Sequence, residues 1–493
     1  MSLWIRNGLV LPSAYDEPLP LDILLNGSLI SEVGRQINAP PDTKIVDASG
    51  HLVIPGLINA HVHGRENLLK GLVDNRPLEA WLLQLAALSD ERTPDDQYVS
   101  VALGAIEMLK HGATSTYELF THIPVITPES IAAVLRAYSD VGLRAIVAPS
   151  VADIPYHRTI PGFTERLDPS LLSALDELFP RRDGHELLRI VAQAVTDWRT
   201  TAGENLVRMA IAPVIPERCS DEFLAACRDL AEAHALPLHT HLLETKVQAV
   251  ERQRRDGCST PIVLDRLGLL TSSTSLAHAI WVTDADIDLI ARRGCAVIHN
   301  PISNLKLGSG RMPMRKMMEQ HVHLAIGTDG CASADHQNLF EAIRVAAYLH
   351  RPFEPDYESW PRAVQILDAV WEGGAHALGL GGKLGRIAPG YLADIVLLDL
   401  DSEALTPLNH VANQLVMCET GLSVRTVIVD GRIVFERGKM TLVDAAAIRA
   451  RARETARRLS RTNVDRARIV SCAEPPLRAA RLEALASPTP GLP

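Results

Sequence analysis

The sequence predicts an α/β fold, a (β/α)8 TIM-like barrel with a small β-sandwich domain built from both chain ends. Apolar, strand-like segments alternate with helical segments and lie near 53–61, 113–120, 144–151, 207–215, 236–242, 274–280, 295–301 and 322–329. Parallel strands that are buried on both faces read as continuous apolar runs, and eight of them separated by helices indicate a barrel. An open doubly wound sheet would favour a Gly-rich phosphate loop after an early strand, and the sequence has none there.

The two ends of the chain predict short strands outside this barrel. Their segments are 3–11 and 21–34 around an Asn26-Gly27 turn, 425–437 around Asp430-Gly431, and a single strand at 393–400. Neither end is long enough to form a core alone, so we expect the ends to pair. The predicted domains are the N-terminal part of the sandwich (1–53), the barrel (54–388), the C-terminal part of the sandwich (389–441), and a C-terminal extension (442–493). The extension should begin with an Arg-rich helix from Val443 to Ser460 and end in a flexible tail from Ser487.

Size, charge and cysteine content limit the class of protein. The chain has 493 residues, of which 47% are hydrophobic, so it can bury a large core. Its formal net charge of −10 argues against nucleic acid or an anionic membrane as the main partner. The seven cysteines form no CxxC pair, and the chain starts without a basic region followed by an apolar stretch. We therefore expect a cytoplasmic homo-oligomer that acts on a small-molecule substrate, with no nucleic-acid or membrane partner.

Side chains that can bind metals stand at the predicted ends of four strands. His61 and His63 close the first strand, and residues i and i+2 of a strand point to the same side. His241, His278 and Asp329 end strands five, six and eight. The carboxyl ends of barrel strands meet at one face, which is where the active sites of such barrels lie. Imidazoles with a carboxylate suit one divalent transition metal, Zn²⁺ by preference and Fe²⁺ as the alternative.

A metal at this position predicts a reaction with activated water, because the ion lowers the pKa of a bound water toward neutrality. A bridged pair of metals usually needs another anionic ligand, but strand four has no Lys, Asp or Glu, so we expect a mononuclear site. Glu244 lies three residues after His241 and can carry a proton to a leaving group. His278 would either complete the coordination of the metal or stabilise the developing oxyanion. His239 should lie one layer deeper, in the core or behind a ligand.

Five stretches of the chain resemble the amidohydrolase superfamily, in its branch of metal-dependent deaminases and triazine hydrolases of the chlorohydrolase type. They are Pro55-Gly-Leu-Ile-Asn-Ala-His-Val-His63, His239-Thr-His-Leu-Leu-Glu-Thr245, Leu276-Ala-His-Ala-Ile-Trp281, His299-Asn-Pro-Ile-Ser-Asn304 and Gly327-Thr-Asp-Gly-Cys-Ala-Ser333. The resemblance covers nearly the whole chain. It implies a barrel with one zinc or iron ion bound by His61, His63, His241 and Asp329. It also implies that Glu244, His278 and Asp329 share the proton transfers.

Departures from the adenosine-type deaminases bear on the substrate. Those enzymes usually have Ala-Pro-His at strand four, where this chain has Ala212-Pro213-Val214. Their Trp-Pro-x-x-Glu-like segment is replaced here by residues 85–91. These differences argue against a purine nucleoside.

The predicted mouth of the barrel carries several candidate substrate contacts. The loop Arg65-Glu66-Asn67 and the nearby Trp81 follow the first strand, and Asn304 and Ser333 border the ends of later strands. Glu66, Asn67, Trp81, Asn304 and Ser333 are the candidates. Helix packing and turn formation explain the same residues equally well.

The leading functional hypothesis is a metal-dependent hydrolase that cleaves a C–N bond of a small nitrogenous compound, most simply the deamination of an aminated N-heterocycle. The alternative is hydrolysis of an amide, urea or carbamate, or displacement of another leaving group from a heteroaromatic ring. Both reactions use the same attack by activated water. A barrel without catalysis that serves as a scaffold is a third hypothesis, which the full set of ligand residues disfavours.

Overall fold

A computed structural model describes residues 2–89, 92–123, 125–201 and 206–488. Its strands are β1 Ser2–Val10, β2 Leu19–Asn26, β3 Leu29–Gly34, β4 Lys44–Asp47, β5 His51–Pro55, β6 Leu57–Val62, β7 Ala113–Phe120, β8 Arg144–Val151, β9 Val207–Met209, β10 Ala212–Pro213, β11 Leu238–Leu242, β12 Thr274–His278, β13 Ala296–His299, β14 His323–Ile326, β15 Ile395–Asp399, β16 Val424–Val429, β17 Arg432–Glu436 and β18 Lys439–Met440.

Helices separate most of the central strands and cover their outer side. They are α1 Leu78–Leu88, α2 Pro94–Lys110, α3 Pro128–Val141, α4 Pro169–Leu178, α5 Gly184–Thr201, α6 Asp221–Ala233, α7 Lys246–Asp256, α8 Thr260–Arg266, α9 Asp284–Arg293, α10 Pro301–Lys306, α11 Met314–Glu319, α12 Leu339–Leu349, α13 Ala363–Asp368, α14 Gly374–Ala377, α15 Val411–Met417, α16 Ala445–Thr462 and α17 Val464–Ala486. None of the helices in the described part of the chain has the length and apolar character needed to cross a membrane.

The central strands form two parallel sheets whose strands follow one another in sequence order. One sheet has the order β10-β8-β7-β6, with β9 paired to β8, and the other has the order β11-β12-β13-β14. A parallel bridge between Ile211 and Leu238 joins the two sheets on one side. On the other side, the Asp329 N–H donates to the His61 carbonyl at 3.0 Å. Because all these strands are parallel, their carboxyl ends lie at the same edge.

The first predicted strand is in fact two strands that belong to different sheets. β5 ends at Pro55 and β6 begins at Leu57, with Gly56 between them. The Gly56 N–H donates to the Asp394 carbonyl at 2.9 Å, and a Cβ at Gly56 would lie 2.1 Å from Thr114 Oγ1. The chain therefore changes sheets at a position that leaves no room for a side chain. The continuous apolar run conceals this break, because both strands are buried on both faces.

Both ends of the chain contribute to one further sheet, as the sequence predicts. Its order is β18-β17-β16-β15-β5-β1-β2-β3, with β4 paired to β1. The C-terminal β15 pairs antiparallel with the N-terminal β5 and places Ile395 opposite Pro55. The expected hairpin turns are present, since Gly27 joins β2 to β3 at φ 60° and Asp430 joins β16 to β17 at φ 53°.

The C-terminal extension packs along the helices that follow the first central strands. The predicted Arg-rich helix is confirmed as α16, and its Thr455 Oγ1 donates to Asp96 Oδ1 of α2 at 3.1 Å. A second helix, α17, continues to Ala486 even though it contains Pro475 and Pro476. Its Arg481 Nε donates to the buried Glu79 of α1 at 2.9 Å. Most of the predicted flexible tail, residues 489–493, lies outside the described residues.

Candidate metal centre and active site

The predicted metal ligands converge at the carboxyl ends of the central strands. His61 belongs to β6, His63 follows that strand directly, His241 belongs to β11 and Asp329 follows β14. The Nε2 atoms of His63 and His241 lie 3.2 Å apart. Asp329 Oδ1 lies 3.4 Å from His61 Nε2 and 3.3 Å from His63 Nε2. All four side chains are buried, with less than a tenth of each residue exposed.

The protonation of these imidazoles shows why a cation fits between them. His63 Nδ1 contacts the Leu119 carbonyl at 2.8 Å and His241 Nδ1 contacts the Val214 carbonyl at 2.6 Å. A carbonyl oxygen only accepts hydrogen bonds, so each Nδ1 carries the proton and each Nε2 has a bare lone pair. Burial lowers the pKa of His63 to about 3, which disfavours a second proton. Two lone pairs therefore face each other at 3.2 Å, an arrangement that a metal ion would stabilise.

His61 and Asp329 complete this donor set. The buried His61 Nε2 has no hydrogen-bond partner among the described residues, and burial lowers the pKa of His61 to about 4. Burial alone would raise the pKa of Asp329, but the imidazoles of His61, His63 and His278 hold it well below its usual range. Two groups that share His61, one with His63 and His241 and the other with His278 and Asp329, have the spacing of metal ligands, and imidazole nitrogens with a carboxylate match the preferences of a divalent transition metal.

A hydrogen-bonded chain supports His61 from the side opposite the ligand atom. His61 Nδ1 lies 2.7 Å from His239 Nε2, and His239 Nδ1 lies 2.6 Å from Ser275 Oγ. The His239 ring also stacks on Tyr117 with centroids 4.3 Å apart. This chain holds the orientation and tautomer of His61, which is the usual role of the groups behind a metal ligand. Of the two positions expected for His239, in the core or behind a ligand, the structure shows the second.

Glu244 and His278 stand beside the ligands. Glu244 Oε2 lies 3.9 Å from His278 Nε2, and His278 Nε2 lies 3.9 Å from Asp329 Oδ2. Burial raises the pKa of Glu244 to about 7, so this carboxyl group can gain or lose a proton near neutral pH. Asn304 Oδ1 lies 2.8 Å from His278 Nδ1 and orients its ring.

Left-handed backbone at the strand ends aims these side chains inward. Residues other than glycine rarely adopt positive φ values, yet His278 has φ 72°, Ala279 φ 46° and Asp329 φ 66°. Leu243, next to Glu244, has φ 43°. Such strained positions concentrate at functional sites, where the surrounding structure holds them in place.

A cavity of about 170 Å³ opens onto the ligands. Among the predicted substrate contacts, Glu66 and Trp81 line it. Asn67 is instead buried in its own loop, where Nδ2 donates to the Gly64 carbonyl at 2.7 Å. Ser333 Oγ donates to the Gly330 carbonyl at 3.1 Å and holds the turn after Asp329. Asn67, Ser333 and Asn304 are not among the residues that line this cavity.

The remaining walls come from residues that the motifs do not mark. They include Tyr156 and Phe179 from the segments after β8, and Arg218 from the turn after β10. Their only signal in the sequence is their position beyond the predicted end of a central strand, because such loops build the sites of these barrels.

Comparisons with known proteins agree with this geometry. A family model described as the amidohydrolase family matches residues 52–434, which is most of the chain. The chain belongs to the amidohydrolase family. A 5′-deoxyadenosine deaminase of Methanosarcina mazei is 31% identical over 92% of this amidohydrolase and 98% of the relative. A 5-methylthioadenosine/S-adenosylhomocysteine deaminase of Thermococcus kodakarensis is 32% identical over 88% and 94% of the two chains.

Several solved structures with similar folds contain zinc. An adenosine deaminase of Xanthomonas campestris with bound zinc has a TM-score of 0.82 and 29% identity, over 93% of this amidohydrolase and 99% of that chain. An atrazine chlorohydrolase of Arthrobacter aurescens, complexed with zinc, has a TM-score of 0.81 and 26% identity, over 92% and 100%. This amidohydrolase is therefore a divalent-metal hydrolase that acts on C–N bonds other than peptide bonds. Its relatives support hydrolytic deamination of an aminated heterocycle.

Proposed function

We propose that this amidohydrolase deaminates an aminated N-heterocycle at a mononuclear Zn²⁺ site formed by His61, His63, His241 and Asp329. The observation that carries the proposal is the pair of bare imidazole lone pairs that face each other at 3.2 Å beside a buried carboxylate. A bound divalent ion would lower the pKa of a water molecule, which makes a nucleophile available near neutral pH. Fe²⁺ suits the same donors, and the zinc-containing neighbours favour Zn²⁺.

Glu244 is the proton carrier in this proposal. Deamination forms a C–O bond to the attacked ring carbon and breaks the C–N bond, and one proton of water must reach the departing nitrogen so that ammonia leaves. A carboxyl group with a pKa of about 7 can accept that proton and then donate it. Glu244 lines the cavity beside the ligands, as this role requires.

His278 stabilises the negative charge that develops on the attacking oxygen, with Asp329 as its carboxylate neighbour. Its Nδ1 donates to Asn304, which leaves Nε2 directed toward Glu244 and Asp329. The oxyanion role requires a proton on Nε2, which lies 3.9 Å from a carboxylate oxygen of Glu244 and of Asp329.

We propose that the two parallel sheets close into one eight-stranded barrel, supported by the Ile211 bridge and the contact from Asp329 to His61 at the two seams. The sheet from both chain ends would fold over its own apolar side as a sandwich, supported by a shared core that includes Ile5, Ile23 and Ile395. The homo-oligomer and the cytoplasmic location stay predictions.

The test is a substrate panel with the Zn²⁺-loaded protein. The panel contains aminated pyrimidines, triazines and purines, 5′-deoxyadenosine, and ureas and carbamates, with ammonia or amine release as the readout. We expect ammonia release from at least one aminated heterocycle and a large loss in the Glu244→Gln variant. Metal-loaded protein that releases ammonia from none of the heterocycles but cleaves a urea or carbamate would contradict the deaminase proposal.

Displacement of a leaving group other than ammonia is the second candidate. It is favoured by the similarity to an atrazine chlorohydrolase over nearly the whole of both chains. Chlorinated and alkoxylated triazines in the same panel separate the two reactions, because they release chloride or an alcohol instead of ammonia.

A further inference from the structure

Arg65 is a buried guanidinium group with unused hydrogen-bond donors at the mouth of the metal site. Only 6% of the residue is exposed, and it lines the same cavity as His63 and Glu244. Its Nε and Nη1 atoms are buried and have no hydrogen-bond partner among the described residues. A guanidinium carries five donors and stays protonated, so a buried one normally forms a pair with an anion.

None of the carboxylates near Arg65 forms a hydrogen bond with it among the described residues, although Glu66 Oε1 is buried without a partner of its own. Both oxygens of Glu118 accept from the Gly64 N–H, at 2.9 and 2.8 Å, and Oε2 also accepts from Tyr138. Glu66 Oε2 accepts from the Ala332 N–H at 3.1 Å. Asp329 faces the histidines. In the described ranges, Arg65 forms no ion pair within 4 Å.

Arg218 brings a second guanidinium group to the same cavity. Its Nε contacts the Ile154 carbonyl at 3.4 Å, and its charged end lies 5.8 Å from the centre of the Tyr156 ring, also part of the wall. Burial lowers the pKa of Arg218, and the charge of Arg65 lowers it further. Two like charges thus share an enclosed space, an arrangement that an anion between them would stabilise.

We propose that Arg65 and Arg218 form an anion subsite that binds a carboxylate substituent of the substrate while its amino-bearing ring carbon faces Glu244. The inference rests on the proposed function and narrows it to acidic heterocyclic amines. A carboxylate suits the planar fork of a guanidinium and would occupy donors that no protein group in the described residues uses.

Binding of benzoate and of its neutral analogue benzamide tests the subsite. Calorimetry on the Zn²⁺-loaded protein should show benzoate bound about ten- to a hundredfold more tightly than benzamide, the usual effect of hydrogen bonds to a charged group. Arg65→Gln should remove most of this preference and keep the metal, while Arg65→Lys should keep part of it. The control Arg453→Gln, an exposed position on α16, should behave as wild type.

Two results would overturn the subsite. If the benzoate preference survives in Arg65→Gln with full metal content, the carboxylate is held by the metal or by Arg218 alone, and the subsite of two arginines is wrong. If wild type shows no preference, the cavity does not recognise anions. Thermal unfolding gives an independent measurement, because Arg65→Gln removes an unpaired buried charge. The variant should gain stability without ligand and gain less from added benzoate than wild type does.

Aminopyrimidines that differ only in a carboxylate separate this inference from the proposed function. Faster ammonia release from the carboxylated compound supports both the deaminase proposal and the anion subsite if Arg65→Gln makes the two rates equal. Equal rates for both compounds in wild type contradict the subsite and leave the deaminase intact. Loss of ammonia release from every heterocycle, with Arg65-dependent benzoate binding, contradicts the deaminase alone.

Discussion

Glu244 combines burial with a position beside the ligands, so its contribution can be separated from metal binding. Glu244→Gln keeps the shape of the side chain and removes the carboxyl group that can gain and lose a proton. General acid-base groups typically contribute about 10²–10⁴-fold in rate, so we expect a loss of that size in kcat with nearly unchanged KM and metal content. Near wild-type turnover in a fully metal-loaded variant would exclude Glu244 from the mechanism.

His241→Ala should fail in a different way from Glu244→Gln. It deletes an imidazole whose Nε2 lies 3.2 Å from that of His63, so the loss should appear as missing metal. Excess Zn²⁺ should restore part of the activity if circular dichroism shows a native fold. The metal content of both variants is measured after the same purification and compared. A His241→Ala protein that retains one tightly bound ion would contradict the ligand assignment.

The buried carboxyl group of Glu66 should make the free energy of unfolding depend on pH. Burial raises its pKa to about 8, from an ordinary value of 4.5. The folded state therefore binds this proton more tightly than the unfolded chain, and stability falls as pH rises through the folded pKa. Glu66→Gln removes this ionisation. Its Tm should exceed that of wild type by a margin that grows from about pH 5 to about pH 8, between the unfolded and folded pKa values of Glu66, and levels off above pH 8. A margin that is constant across this range would contradict the burial effect.

Adjacent strands are the elements that hold the ligands in place. β11 carries both His241 and His239, and the neighbouring β12 places Ser275 directly opposite His239. Since His61 Nε2 faces the metal site, His61 Nδ1 must donate to His239, and His239 Nδ1 must donate to Ser275. The register between these two strands therefore sets the tautomer of a ligand on a third strand, β6.

Ser275→Ala should weaken metal binding without touching a ligand. Without the hydroxyl, His239 loses the acceptor that keeps its proton on Nδ1, and His61 loses a fixed partner. Groups behind metal ligands typically contribute about 10–100-fold in metal affinity, and we expect the lower end of this range. Competition with a chelator measures the affinity, with Ser471→Ala on the exposed face of α17 as the control. Equal affinities in the two variants would contradict the role of this chain.

At the scale of the whole molecule, the groups in the described part of the chain that could hold a metal share His61 and lie at one place. β9 and β10 offer no anionic side chain at the position where a bridging ligand would stand. Glu118 on β7 has its carboxylate occupied by Gly64 and Tyr138. Metal analysis of purified protein should therefore give about one transition ion per chain. Two tightly bound ions per chain would contradict the mononuclear site.

The local pattern of the sequence was enough to predict the positions of the central strands and the residues that close them. Apolar runs mark buried parallel strands, and His61, His63, His241, His278 and Asp329 stand where those runs end. The turns at Asn26-Gly27 and Asp430-Gly431 were equally visible, because few residues adopt their backbone conformation.

Contacts between distant parts of the chain decided the rest. His61 and His239 are 178 residues apart, and only the fold shows that one supports the other. The same holds for Arg65 and Arg218, which share a cavity wall, and for Asn67 and Ser333, whose polar groups are used within their own loops. Periodicity reports which face of a strand or helix is buried, but the partner across that face depends on packing over the whole chain. The sequence by itself therefore determined the reaction class and the candidate ligands, and the tertiary structure decided which groups lie behind those candidates and which line the cavity.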